Sequence, residues 1–106
     1  MHETAPVSSV KRNPTALKMV REVSLQQYSQ WLMEKFEKFH PPTELIEQLQ
    51  DLDNQRTYLS AIFDEMHDGD SLWLCQSQKI GPLSGHEGIA LVRDGRPIIY
   101  VRLITY

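Results

Sequence analysis

The residues of this sequence best suited to nucleophilic chemistry are one cysteine and two histidines. Cys75 with His67 or His86 would form a thiol–imidazole pair, in which the imidazole takes the proton of the thiol. Such a pair needs a partly exposed thiol, whereas Cys75 closes the apolar run Leu-Trp-Leu-Cys at residues 72–75. The sequence therefore favours a buried structural cysteine over a catalytic one.

A second group of possible ligands surrounds a glycine. His67, Asp68 and Asp70 carry side chains that bind metal ions, yet an Asp-Gly turn after a helix uses the same residues without any ion. We therefore expect no metal and no cofactor.

The pair His86-Glu87 is the most plausible polar site. A histidine beside a carboxylate and between two glycines is expected to be exposed and to titrate near neutrality, although an ordinary solvated loop has the same composition. If the last strands form a hairpin, Arg93, Arg96 and Arg102 come close together and Arg102 shares a face with Tyr100. This combination could stack on a nucleic-acid base or grip a carboxylate, or the arginines could simply pair with the acidic helices. We expect the contacts to a partner to come from Trp73, His86, Glu87, Arg93, Arg96, Tyr100 and Arg102.

The elements that must position these residues begin after residue 14. Residues 1–14 contain two prolines and no periodicity, which predicts a flexible tail, with a single domain over 15–106. Residues 16–23 fit either a strand or the first turns of a helix. Ser24 and Gln27 have the capping-box spacing, so a helix should begin there, carry an apolar stripe and end before Pro41.

A second helical region spans residues 43–67. Thr43 is its expected cap, and Asp53-Asn54 would divide it if it forms two helices instead of one. Arg56 interrupts the apolar rhythm, either as a snorkelling side chain at a bend or as the buried partner of an acid.

The C-terminal third has the pattern of strands. Asp94-Gly95 predicts a two-residue type I′ hairpin, which would pair Arg93 with Arg96 and bring the arginines near one another. The register then places Ile89, Leu91, Ile98 and Tyr100 on one face and Ala90, Val92, Ile99 and Val101 on the other. The predicted fold is α+β: two or three N-terminal helices, then a three-stranded antiparallel β-meander.

This region also resembles a family of small uncharacterised bacterial proteins. The resemblance rests on Gly69-Asp70, Leu72-Trp73, the glycine-rich loop with Leu83-Ser84-Gly85, and the hairpin at residues 90–95 (Ala-Leu-Val-Arg-Asp-Gly). It covers about 30 residues, and Gln76-Ser77-Gln78 stands where that family often has aromatic residues and a proline pair. The resemblance implies no activity.

Composition and charge exclude several classes of function. The 106 residues are 41 % hydrophobic and 24 % charged, which is typical of one globular domain and not of a disordered chain. Four-residue apolar runs are too short to span a membrane, the N-terminus has no secretory pattern, and a single cysteine suits a reducing cytoplasm.

The net charge of −3 is unevenly divided. Residues 24–70 hold three basic and ten acidic side chains, while the segments before and after each hold four basic and two acidic ones. General nucleic-acid binding is therefore disfavoured.

We expect a non-enzymatic protein–protein interaction module, with a homodimer as the simplest case, because both faces of the hairpin are apolar and two helices can cover only one of them. The alternatives are a nucleic-acid-associated accessory or regulatory protein that uses the arginine-rich hairpin, and a small enzyme that uses His86 and Glu87.

Overall fold

The computed structural model describes residues 4–38, 40–78 and 85–106. Within them the chain forms an α+β fold with four helices and five strands. A 3₁₀ turn, Val7–Ser9, leads into β1 (Val10–Arg12) and β2 (Leu17–Val23), and the helices are α1 (Leu25–Glu37), α2 (Thr43–Gln50), α3 (Leu52–Tyr58) and α4 (Ser60–Phe63). The last strands are β3 (Ser71–Ser77), β4 (His86–Arg93) and β5 (Arg96–Thr105).

The predicted three-stranded meander is wrong, because the sheet has five antiparallel strands in the order β1-β5-β4-β3-β2. The prediction of two or three N-terminal helices is wrong as well, because the described chain has four helices and both outer strands precede them. The three residues of β1 lie within the segment expected to be a flexible tail and are too few to show a period. The segment left open between strand and helix forms β2, which pairs with β3.

Helix boundaries follow local capping chemistry. The capping box of α1 is present: the Gln27 amide N–H donates to Ser24 Oγ, and the Ser24 N–H donates to the Gln27 side chain. The expected Thr43 cap is wrong, since Thr43 is already helical and Pro42 holds the cap position. The second region breaks at Asp51, whose carboxylate accepts the first free N–H groups of α3, and not at Asp53-Asn54.

The hairpin turn has the predicted geometry. Asp94 and Gly95 both have positive φ, 52° and 77°, and Arg93 pairs with Arg96. The predicted register nevertheless fails after Pro97, because Val92 pairs with Pro97 while Leu91 pairs with Ile99. A bulge therefore absorbs Ile98 next to the proline, which has no N–H for the ladder.

This bulge exchanges the two faces of β5. Ile99 and Val101 join Ile89 and Leu91 in the main core beneath the helices, and Tyr100 joins Ala90 on the face without helices. A one-residue shift moves every later side chain to the other face of a strand, which is why the predicted sets are wrong beyond Pro97.

The sheet curls around its helix-free face. The outer strands of a flat five-stranded sheet would lie about 19 Å apart, and the five Cα steps from Arg12 to Leu17 reach at most about 18 Å. The connection also turns, because Asn13 and Ala16 have positive φ. The two edges must therefore approach each other, and this buries the second cluster: Cys75, Ala90, Val92 and Tyr100, packed with Leu17, Met19 and Trp73.

No helix in the described ranges is long and apolar enough to cross a membrane.

Candidate functional site

A groove of about 580 Å³ lies on the helix-free face, at the end of the sheet away from the Asp94-Gly95 turn. We call it the basic groove and define it by Lys11, His86, Tyr100 and Arg102. Strand β1 supplies Lys11, β4 supplies His86, and β5 supplies the other two. The connection from β1 to β2 lines the groove as well, so the curl of the sheet forms it.

His86 and Tyr100 form the polar centre of the groove. His86 Nδ1 lies 2.8 Å from the Tyr100 hydroxyl in a hydrogen bond, and the ring centroids are 5.4 Å apart. The His86 backbone N–H donates to Ser77 Oγ at 3.0 Å, which fixes the start of β4 against β3. Tyr100 therefore holds the imidazole ring, and Ser77 holds the backbone of the same residue.

The electrostatics of the groove are positive. Burial lowers the pKa of His86 below its ordinary value, and the charges of Arg102 and Lys11 lower it further, so the imidazole is neutral at pH 7. Burial raises the pKa of Tyr100 well above its usual range, so its hydroxyl stays protonated. No ion pair joins Lys11 or Arg102 to an acid in the part of the chain that the structure describes.

Glu87 lies on the opposite face of the sheet from His86. Successive strand residues point to opposite faces, and the Glu87 side chain contacts α1. Gln76 Nε2 donates to its carboxylate at 2.7 Å, Lys35 Nζ lies 3.2 Å from it, and the Tyr106 hydroxyl also donates to it. Burial raises the pKa of Glu87, but these three partners outweigh burial and hold that pKa below its ordinary value. Glu87 is a fixed internal anion, and the proposed His-Glu pair does not meet.

The predicted arginine cluster is not brought together. Arg93 binds the Asp70 carboxylate through two nitrogens, at 3.0 and 2.7 Å, and donates to the Glu65 carbonyl oxygen at 3.0 Å. These hydrogen bonds to Arg93 are the leading cause of an Asp70 pKa of about 2. Arg96 is exposed beside the turn, and Arg102 pairs with Gly88 at the far end of the hairpin. The sequence reasoning was right that Arg102 and Tyr100 share a face.

Three further side chains have surroundings that suit a structural role. Trp73 is half-buried on the helix-free face, where its indole N–H donates to Ser71 Oγ at 3.1 Å, and it does not line the basic groove. Burial raises the pKa of Cys75 to about 11, so its thiol is protonated at neutral pH. Arg56, exposed, stacks over the Phe63 ring at 5.0 Å and is not the buried partner of an acid.

Sequence reasoning missed Lys11 and Ser77. Lys11 stands in the segment predicted to lack order, and its only signal was the pair Lys11-Arg12 between small polar residues. Lys11 lies in the groove because β1 pairs with β5, which sets Lys11 opposite Tyr100. These two residues are 89 positions apart in the sequence, so no local pattern indicates the contact. Arg12, the next residue of β1, has its side chain on the opposite face of the sheet from Lys11. It forms an ion pair with Glu65, in which a guanidinium nitrogen lies 2.6 Å from a carboxylate oxygen.

Comparison with known proteins adds no family to this geometry. No family model, no curated protein and no solved structure matches the chain. The resemblance to small bacterial proteins stays a prediction. Among the described residues, no group of three or more histidine, cysteine or acidic side chains is arranged to hold a metal ion.

Proposed function

We propose that this protein is a non-catalytic interaction module that binds an acidic segment of a partner protein in the basic groove. One observation carries the proposal: Lys11 and Arg102 both line a groove and form no ion pair with an acid of the described chain. Arginine and lysine in a concave surface concentrate the field on whatever enters it, and a carboxylate is the protein group of matching charge.

The shape of the basic groove suits a short peptide segment. Its volume of about 580 Å³ lies within the range of sites that enclose a small ligand. Its lining is mixed, with the Tyr100 ring and Leu17 as apolar surface and the Ser8 and Ser9 residues as polar surface. A segment that places one or two carboxylates beside a small apolar side chain would satisfy the cations and cover the apolar floor.

The geometry gives little support to catalysis. The Cys75 thiol is buried and protonated, and Glu87 lies across the sheet from His86. His86 has a hydroxyl partner in Tyr100 but no carboxylate to orient it among the contacts described. A binding role does not require any of these side chains to remove a proton from another. We place the module in the reducing cytoplasm, where a single buried thiol stays reduced.

The test is a titration with a matched pair of peptides. The probe is an acetylated and amidated pentapeptide with glutamates on either side of leucine, and the control replaces both glutamates by glutamine. We expect binding of the glutamate peptide alone, weakening as salt rises from 50 to 500 mM, because exposed charges are screened over about 10 Å at 0.1 M ionic strength.

Variants of the protein assign the site. Lys11→Gln and Arg102→Gln should each weaken binding about two- to fivefold, the effect of losing an exposed ion pair of up to about 1 kcal/mol. Arg96→Gln is the matched control, since it removes the same charge from an exposed position beside the hairpin turn. Equal loss in all three variants would indicate general charge attraction and contradict the assignment. Binding of both peptides alike would contradict a charge-reading groove.

A further inference from the structure

A second groove lies on the other side of the sheet, between helices α1 and α2. We call it the helical groove. Its volume is about 490 Å³, and its floor is apolar: Met33 from α1, Pro41 from the connection, and Ile46 and Leu49 from α2. Leu49 is buried, but the other three are only half-buried, so their apolar surface is not used up by the protein's own core.

The two helices that form this groove are fixed to each other. The Ser29 hydroxyl of α1 donates to the Leu49 carbonyl oxygen of α2, and Ser29 is itself buried. The Gln55 amide of α3 reaches the same carbonyl oxygen at 3.5 Å. Because α1 and α2 are joined at a buried polar contact, the groove is a preformed feature that a ligand does not have to open.

The rim of the helical groove is acidic. Glu34 and Glu37 lie on α1 beside the apolar floor, and no ion pair engages them within residues 4–38, 40–78 and 85–106. Lys35, which stands between them in sequence, is bound to Glu87 of the sheet instead. The surrounding segment, residues 24–70, has ten acidic side chains against three basic ones. The potential over this groove is therefore negative.

An apolar groove between two helices with an acidic rim matches one kind of partner. An amphipathic helix lays its apolar stripe into such a groove, and lysines or arginines beside the stripe meet the rim. The α1 wall of the groove runs from Gln30 to Glu37 and extends over about 10 Å, which is the length of about two turns of a partner helix. Anionic lipid and nucleic acid have the wrong charge for this rim.

A second copy of the chain does not supply this partner. Helices α1 to α4 carry two basic residues, Lys35 and Arg56, against five acidic ones, and both basic side chains are engaged, with Glu87 and the Phe63 ring. The basic side chains that line a groove, Lys11 and Arg102, come from strands. The complementary helix must therefore come from a different protein.

We propose that the helical groove binds a basic amphipathic helix of another protein. This inference goes beyond the proposed function and does not depend on it, because the helical groove and the basic groove lie on opposite sides of the sheet and have opposite charge. With both occupied, the protein would join an acidic partner to a basic one.

The experiment measures the fluorescence anisotropy of a labelled 14-residue peptide of leucine and lysine, with leucines at helical spacing. Its control is a scrambled peptide of the same composition, which has the same charge but no apolar stripe. We expect the peptide with leucines at helical spacing to bind at least tenfold more tightly than the scrambled peptide. Equal binding of the two peptides, or no binding of either, would overturn the proposal.

Two double variants with the same net charge locate the site. Glu34→Gln with Glu37→Gln should weaken binding about three- to tenfold. Asp64→Asn with Asp68→Asn, at exposed positions outside the groove, should change it by less than twofold. Ile46→Ser tests the floor, and Met33→Gln replaces it if that variant does not fold. Equal losses in the two double variants, or an unaffected floor variant, would refute the assignment. The acidic pentapeptide should bind all of these variants normally.

Discussion

The substitution Gly88→Ala tests the strand arrangement that forms the basic groove. Gly88 pairs with Arg102 beside a bulge in the β4–β5 ladder, and His86 lies two residues before Gly88 in β4. A Cβ atom at Gly88 would lie 2.0 Å from the Val101 carbonyl oxygen and 2.9 Å from the carbonyl carbon. The two strands therefore approach so closely at this point that only glycine fits.

The expected cost follows from that distance. Carbon–oxygen contacts in sheets are about 3.3 Å or longer, so the strands would have to separate by more than about 1 Å. Such a shift would break about two ladder hydrogen bonds, each worth about 0.5 to 1.5 kcal/mol, and the crowding adds about 1 to 3 kcal/mol. We expect Gly88→Ala to lower the free energy of unfolding by about 2 to 6 kcal/mol. The melting temperature should fall by at least about 10 °C.

The assay is urea unfolding followed by tryptophan fluorescence, with far-ultraviolet circular dichroism as the second probe. Gly69→Ala is the control. Gly69 has a positive φ of 90°, but a Cβ atom there would have nothing within 4 Å, so this variant should cost only the backbone strain of about 1 to 2 kcal/mol. A Gly88→Ala protein that unfolds within about 0.5 kcal/mol of the parent would refute the close approach of β4 and β5, and with it the placement of Arg102 beside His86.

Four further predictions concern the core, the groove, the turn and assembly. Tyr28→Phe should raise stability by about 1 kcal/mol in urea unfolding, because the buried Tyr28 hydroxyl has no hydrogen-bond partner in the described structure; a loss above 1 kcal/mol would mean that it has one. Because the pKa of His86 is lowered on folding, the unfolded chain binds more protons, so stability should fall as pH drops below about 6.5. His86→Gln should flatten that slope, and an unchanged slope would contradict the half-buried, neutral imidazole. Gly95→Val should cost about 1 to 3 kcal/mol in thermal melts, since φ is 77° there; a parent-like melt would contradict the type I′ turn. Light scattering at tens of micromolar tests the predicted homodimer, which a 12.3 kDa species would exclude.

Features set by neighbouring residues could be predicted from the sequence. The Ser24–Gln27 capping box and the Asp94-Gly95 turn depend on side chains three residues apart or fewer, and both have the expected geometry. The burial of Cys75 followed in the same way from its apolar neighbours. In each case the physical cause lies within one turn of chain.

Features set by distant pairing could not be predicted. The three residues of β1 form a strand because they pair with residues of β5 that lie about 90 positions later in the sequence. The bulge at Ile98 depends on how the sheet accommodates Pro97, and it decides which side chains face the groove. The separation of His86 from Glu87 follows from their place in a strand, where the sequence suggested a loop. The sequence thus indicated which types of residue the candidate site contains, but it did not indicate how they are arranged in space.

The most direct test of the basic groove is a nuclear magnetic resonance titration of the whole protein with the glutamate pentapeptide. We predict that the amide signals that shift most belong to the groove, with Lys11, His86 and Tyr100 among them, and that the glutamine peptide shifts none of these. Shifts confined to helices α1 and α2, or spread evenly over the surface, would contradict the claim that the curled face of the sheet binds an acidic segment.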